Sequence, residues 1–167
     1  LQAGDDMVLK RMKRRHLRQD VVDFCKKVRD LRPDVTFGAD IIAGFPTETD
    51  EMAENTLRLV NECGLIYLHV FPYSSRPGTP AAKMPQVPKD LRKERASALR
   101  EAGEIQLNKF LQSRIGMTEN VLVEKENTGH TEHFAPVLLD RVIEAGTIAK
   151  AKVTGLEDGK LIAELAG

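Results

Sequence analysis

Read for hydrophobic period, the chain changes character along its length. Up to about residue 71 helical spacing alternates with continuous apolar runs, a long charged stretch follows, and after Gly116 the apolar positions become short and alternating. Asp5 or Asp6 caps a short helix running to Met12, with Met7, Val8, Leu9 and Met12 as its apolar contacts. A second helix spans residues 20–31, with Val21, Phe24, Val28 and Leu31 on its buried face, and Pro33-Asp34 ends it. Residues 35–43 form a strand whose apolar run fits burial on both faces. Thr47 and Asp50 have capping-box spacing for a helix that passes Met52, Leu57 and Val60 to Cys63, where Gly64 is the left-handed terminator.

Residues 65–71 are the next strand, so the order helix, strand, helix, strand predicts a parallel α/β sheet. Proline and glycine crowd residues 72–88, a loop length that points to function or a linker. A charged helix over 89–113 has Leu91, Ala98, Ala102 and Ile105 as its buried stripe. Short strands at 120–124, 135–139, 147–153 and 160–164, separated by turns at 127–129, 145–146 and 157–159, predict a small β-barrel of the OB-like kind. The division is therefore a parallel α/β unit over 1–88, which the resemblance given below makes a partial barrel, a connecting helix over 89–114 and a β-barrel over 115–167.

Charge supports two units. The formal net charge is zero, but residues 1–114 carry 20 Lys/Arg against 16 Asp/Glu, and residues 115–167 carry 5 against 9. No apolar run reaches the roughly 18 residues that span a bilayer. Cys25 and Cys63 lie inside helical patterns without ligand spacing, and read as buried apolar residues in a reducing cytoplasm. The sequence opens at Leu1 without an initiator Met and reads as a piece of a longer protein. A barrel lacking its first strands would leave edge and apolar surface open to self-association.

Four stretches carry candidate chemistry. Gln2-Ala3-Gly4-Asp5-Asp6 is a polar cluster at a strand end, and Met12-Lys13-Arg14-Arg15-His16 lies within six Lys/Arg over residues 10–18. Gly38-Ala39-Asp40-Ile41-Ile42-Ala43-Gly44-Phe45-Pro46-Thr47-Glu48-Thr49 reads as a buried strand, a turn and a helix start. A buried acid such as Asp40 is costly unless something satisfies it, and ligands bind at that end of α/β sheets. Tyr73-Ser74-Ser75-Arg76-Pro77-Gly78-Thr79-Pro80 forms a rigid loop with an embedded arginine.

In that order and at those distances, the stretches resemble the back half of the radical S-adenosylmethionine methylthiotransferases, whose members carry QSGSD, MKRRY/H, DIIVGFPGET and YSPRPGTPA. The tail, with Gly129-His130-Thr131-Glu132-His133-Phe134, resembles the TRAM domain of that family. The resemblance implies a C-terminal portion of a tRNA-modifying transferase with S-adenosylmethionine as cofactor and the tRNA anticodon stem-loop as partner. Thr47 and the His69-to-Ser74 stretch favour the branch acting on threonylcarbamoyl-adenosine.

It further implies that Gln2 and Asp40 meet ribose hydroxyls, that Arg14 binds the methionine carboxylate, that Ile42 and Phe71 flank the adenine, and that Gly44 keeps backbone close to it. Lys13, Arg15 and Arg76 are implied tRNA contacts, with Lys125, His130, His133 and Phe134 as a local patch on the otherwise acidic tail. Two [4Fe–4S] clusters are implied for the whole protein, but their cysteine ligands are absent here, so no catalytic or metal-binding residue is assigned. Glu48 reads as support for the helix start, through the helix dipole or through hydrogen bonds in the turn. The sulfur donor stays unidentified. Sibling enzymes acting on isopentenyl-adenosine or on a ribosomal-protein aspartate, an RNA-binding protein without activity, and an unrelated barrel enzyme remain open alternatives.

Overall fold

The computed structural model describes residues 1–166, which divide into two compact units, Leu1–Gln106 and the part from Leu107 onward. The first contains helices α1 (Asp6–Arg11), α2 (Arg18–Leu31) and α3 (Asp50–Cys63), strands β1 (Phe37–Ala43) and β2 (Leu65–Pro72), and most of α4 (Lys89–Ser113). β1 and β2 pair in parallel, with α3 as their crossover. The residues before α1 touch the end of β1 through a backbone bond, Ile42 N donating to the Gln2 carbonyl at 3.0 Å.

Local chemistry sets the helix ends. The Asp5 carboxylate accepts from Met7 N and Val8 N, capping α1. α2 begins at Arg18, earlier than the apolar pattern placed it, and Asp20 is the capping-box residue, accepting from Leu17 N at 2.7 Å. α3 is capped by Thr49, whose hydroxyl accepts from Met52 N, and not by Thr47. Gly64 ends α3 in the left-handed region as expected (φ 54°), and a Cβ there would meet the Arg29 guanidinium, which donates to the Cys63 carbonyl.

The core lies between the sheet and the helices, built from Ile41, Leu59, Val60, Cys63, Leu65, Val70 and Leu99. Two expected faces are borne out in part. In α2, Val21 is half-buried against the core as expected, beside Val22 and the buried Cys25, while Phe24 and Leu31 are 61% and 81% exposed. In α4 the buried line is Arg95, Ala96, Leu99 and Gly103; the expected Leu91, Ala98 and Ala102 are half-buried beside it, and Ile105 is exposed. Gly103 fixes that line, because a Cβ there would stand 2.9 Å from a Leu68 methyl. Both cysteines are free and buried, and burial beside Cys25 pushes the Cys63 thiol up to about 12, which makes it inert.

The second unit is a closed five-stranded barrel of β3 (Thr118–Lys125), β4 (Thr128–Thr131), β5 (Pro136–Leu139), β6 (Ile148–Glu157) and β7 (Lys160–Leu165), in the order β3-β4-β5-β7-β6. Val121, Val123, Val137, Val153 and Leu161 fill it, with Leu111 from the last turns of α4. The sequence pattern showed no β4: Thr128-Gly129 reads as turn chemistry. The turn is instead Glu126-Asn127, with Glu126 at φ 51°. Gly129 then lies so near β3 that a Cβ would stand 2.1 Å from the Leu122 carbonyl oxygen. The buried Glu119 carboxylate is paired with the Arg114 guanidinium.

Candidate functional site

Alternation along β1 buries Ile41 and Ala43 and leaves Asp40 exposed and Ile42 half-buried on the opposite face. The expectation of a buried Asp40 is therefore corrected: the core lies behind the strand, and Asp40 stands on the open side. On β2 the same alternation buries Val70 and exposes His69 and Phe71. The parallel register sets Asp40 beside His69 and Ile42 beside Phe71, so one sheet face presents all four. His69 carried no assignment from the sequence; the register is what brings it to this face.

Above the carboxyl ends of these strands run two adjoining grooves. One, of about 490 Å³, is lined by Ile42, Phe71, Pro72, Tyr73, Arg76 and Thr79. The other, of about 320 Å³, is lined by Arg11, Met12, Lys13 and Arg14 together with Ile42, Phe45 and Thr79. Ile42, Thr79 and Ala81 line both. Arg14, Ile42, Phe71 and Arg76, separated by up to 62 positions in sequence, thus meet around one opening, with cations at both ends and apolar side chains between. This end of a parallel sheet is where α/β folds bind ligands.

The other assigned residues sit differently. Gln2 contributes its backbone carbonyl to the sheet beside Ile42, and Asp40 lies one alternation below Ile42, outside the lining of both grooves. Gly44 is left-handed (φ 70°), but the missing side chain makes room for Arg92: a Cβ would stand 2.5 Å from Arg92 Cγ. Its need for glycine is thus met by α4. Lys13 and Arg15 are exposed beside Arg14, and Lys13 has φ 57°.

Two arginines of α4, missed by sequence reasoning, brace this end of the sheet: Arg95 bonds to the turn after β1, and Arg92 packs on Gly44 while bonding to the loop after β2. Arg92 donates to the Tyr73 and Val87 carbonyls. Arg95 Nη1 donates to the Glu48 carboxylate and carbonyl, both at 3.0 Å, and Nη2 reaches Asp50. The Glu48 carboxylate accepts from Gly44 N at 3.0 Å, which bears out its reading as support for the turn. Burial raises its pKa, with Arg95 opposing. An i to i+47 ion pair has no local sequence signal.

Thr47 occupies the left-handed region (φ 67°), which a β-branched residue enters only at a cost of roughly 1–2 kcal/mol. It is held there by donation of its N–H to the Pro85 carbonyl and by Arg11 donating to its own carbonyl. Thr47→Gly is expected to raise stability by about 1 kcal/mol in a denaturant titration; an unchanged midpoint would show that glycine's unfolded-state freedom cancels the relief.

In the barrel unit, Phe134 and His130 stack, their ring centroids 4.6 Å apart and the planes 14° from parallel, and Phe134 is 67% exposed. His130 Nδ1 is 3.0 Å from a Glu124 oxygen, and Lys125 is exposed at the end of β3. His133 departs from its assignment. It is 7% exposed, packed edge-on against Phe110 and 3.7 Å from Glu119, which makes it a core residue and removes it from the RNA-facing set.

Comparison with known proteins points to one family. The radical SAM superfamily matches residues 1–60. The chain is 59% identical over 159 residues, 95% of its length and 38% of the relative's, to the threonylcarbamoyladenosine tRNA methylthiotransferase MtaB of Rickettsia prowazekii (strain Madrid E). By sequence it is similar to the radical SAM methylthiotransferases. It is also 35% identical over 173 residues, 99% of the chain and 38% of the relative, to the tRNA-2-methylthio-N(6)-dimethylallyladenosine synthase of Bartonella bacilliformis. The synthase of the same name from Ehrlichia chaffeensis is 40% identical over 123 residues, 73% of the chain and 28% of the relative. The chain thus spans about 38% of the length of two of these relatives and 28% of the third.

A radical SAM methylthiotransferase uses S-adenosylmethionine, and the groove suits it. Arg14 offers a planar guanidinium to a carboxylate, Ile42 and Phe71 offer apolar walls to a purine, and the volume lies in the range of cofactor sites. An iron–sulfur cluster does not fit these residues: among the described residues no three His, Cys, Asp or Glu side chains are grouped to hold a metal. No helix among them is long and apolar enough to cross a membrane.

Proposed function

We propose that the protein carrying this chain adds a methylthio group to C2 of threonylcarbamoyl-adenosine at position 37, beside the tRNA anticodon. The observation that carries the reading is the 59% identity over 95% of the chain to a tRNA methylthiotransferase of that name. In this reading Arg14 binds the methionine carboxylate of S-adenosylmethionine through charge-assisted hydrogen bonds. The ribose extends from the groove down the open sheet face toward Asp40 and Gln2, and Ile42 and Phe71 flank the adenine. Bound cofactor supplies radical chemistry and the transferred methyl group. This chain orients it, while both [4Fe–4S] clusters and the entry of sulfur lie with residues outside this sequence.

Lys13, Arg15 and Arg76 meet phosphates of the anticodon stem-loop, and Lys125, His130 and Phe134 form a second contact on the barrel; the reaction takes place in the cytoplasm. The three segments 1–88, 89–114 and 115–167 serve as partial barrel, connecting helix and TRAM-like domain. Taken alone, the chain leaves Phe24, Leu31 and Phe71 exposed on its first unit, and it self-associates; sedimentation at rising concentration tests this, with a monodisperse monomer as the contrary result.

The 35% and 40% identities to dimethylallyladenosine synthases keep that sibling substrate as the second reading. Nucleoside mass spectrometry of tRNA from cells lacking the gene separates the two. Loss of methylthio-threonylcarbamoyl-adenosine, with its precursor accumulating, is the expected result. An intact threonylcarbamoyl profile with loss from the isopentenyl nucleoside would replace the first reading by the second.

A further inference from the structure

We infer that Phe134, stacked on His130, is a built platform for one unpaired RNA base, and that the barrel engages RNA there by stacking more than by charge. This rests on the tRNA reading above. One face of the Phe134 ring is covered by His130, yet the residue remains 67% exposed, so its opposite face is open to solvent. The backbone is bent to present it, at φ 61°, a region that bulky residues avoid. Such strain persists only where the surroundings enforce it.

The enforcement is visible. Phe134 N donates to the Thr131 carbonyl at 2.9 Å, and the Thr131 hydroxyl accepts from His133 N and Ala135 N, both at 3.2 Å. His133 is buried beneath the turn, and Glu124 fixes the His130 ring from behind. The ring is therefore ordered before any ligand arrives, which lowers the entropy lost on binding.

The surroundings select the occupant. His130 pairs across the ladder with Leu122, and Leu122 with Ile148; both aliphatic side chains are exposed. Glu124 lies at 3.0 Å from His130, and Glu132 accepts from Asn120. An apolar, flat surface rimmed by carboxylates repels a phosphate and accepts the neutral face of a base. An acidic unit, with 5 Lys/Arg against 9 Asp/Glu over residues 115–167, thereby contributes to RNA affinity.

The test is binding of an anticodon stem-loop RNA, carrying 2-aminopurine at each loop position in turn, to the intact protein and its variants. Phe134→Ala is expected to weaken binding about tenfold or more, to leave the salt slope unchanged, and to abolish the quenching that one 2-aminopurine position shows with the parent. Phe134→Trp retains both affinity and quenching. Phe134→Gly loses affinity without a lower melting temperature, because it relieves the backbone. A parent that binds while Phe134→Ala binds equally well overturns the platform alone. A parent that does not bind the stem-loop overturns the tRNA reading beneath it.

Discussion

Gly129→Ala is expected to cost the barrel unit about 3 kcal/mol or more, at the upper end for overpacking. Its Cβ would stand 2.1 Å from the Leu122 carbonyl oxygen and 2.9 Å from that carbonyl carbon. These are backbone atoms of β3, held on their other side by pairing with β6, so relief requires parting of β3 and β4. Gly155→Ala is the matched control. It also lies in a barrel strand, but its nearest contact is Ile162 Cβ at 3.9 Å, and the cost is expected within about 0.5 kcal/mol. Calorimetric melting of the two variants checks this; equal midpoints would show that β4 does not approach β3 so closely.

Arg95→Ala is expected to destabilise the first unit by about 3–5 kcal/mol, the range for leaving a buried charge without its partner. Glu48 would keep only backbone donors, and Asp50 is exposed enough to hydrate. The effect depends on pH. Burial already raises the Glu48 pKa and Arg95 opposes that rise, so the variant raises it further. A carboxyl with a raised folded pKa favours the folded state at low pH and loses that contribution as pH rises through the folded value. The penalty is therefore smaller at pH 5 than at pH 8, as paired denaturant titrations would show. A pH-independent penalty would place the loss in packing of the Arg95 stem.

Legibility followed the range of the forces involved. Helix ends set by nearby groups, such as Asp5 on α1 and Gly64 after α3, were readable because their partners lie within a turn. Thr47 misled because a hydroxyl at the right spacing looks like a cap, whereas tertiary bonds to Pro85 and Arg11 hold it in the left-handed region. The faces of α2 and α4 were legible only in part: Val21 and Ala102 pack against the core as expected, but packing through Cys25 and Gly103 shifted the stripe away from Phe24, Leu31 and Ile105. β4 was invisible because Thr128-Gly129 has turn chemistry and its strand character comes from pairing with β3 and β5.

The site divided along the same line. Arg14, Ile42, Phe71 and Arg76 were assigned from motifs and are brought to one opening by the strand ends and the loop after β2. Asp40 was assigned as a buried acid, and alternation instead exposes it beside His69. His133, one residue from Phe134, was indistinguishable from it in sequence; the turn buries one and displays the other. Arg95 acts from 47 residues beyond the turn it bonds, and Arg92 packs on Gly44 from a similar separation in sequence; nothing local announces either.

The groove at the ends of β1 and β2 is the central claim, and calorimetric titration of the intact protein with S-adenosylmethionine tests it most directly through Arg14→Ala. Arg14 is exposed at the groove rim, so its loss leaves the fold intact and removes one charged hydrogen-bonding partner. The predicted result is a loss of about 1–3 kcal/mol in binding, with an unchanged melting temperature. Affinity equal to that of the parent would remove Arg14 from the cofactor site and contradict the placement of S-adenosylmethionine in this groove.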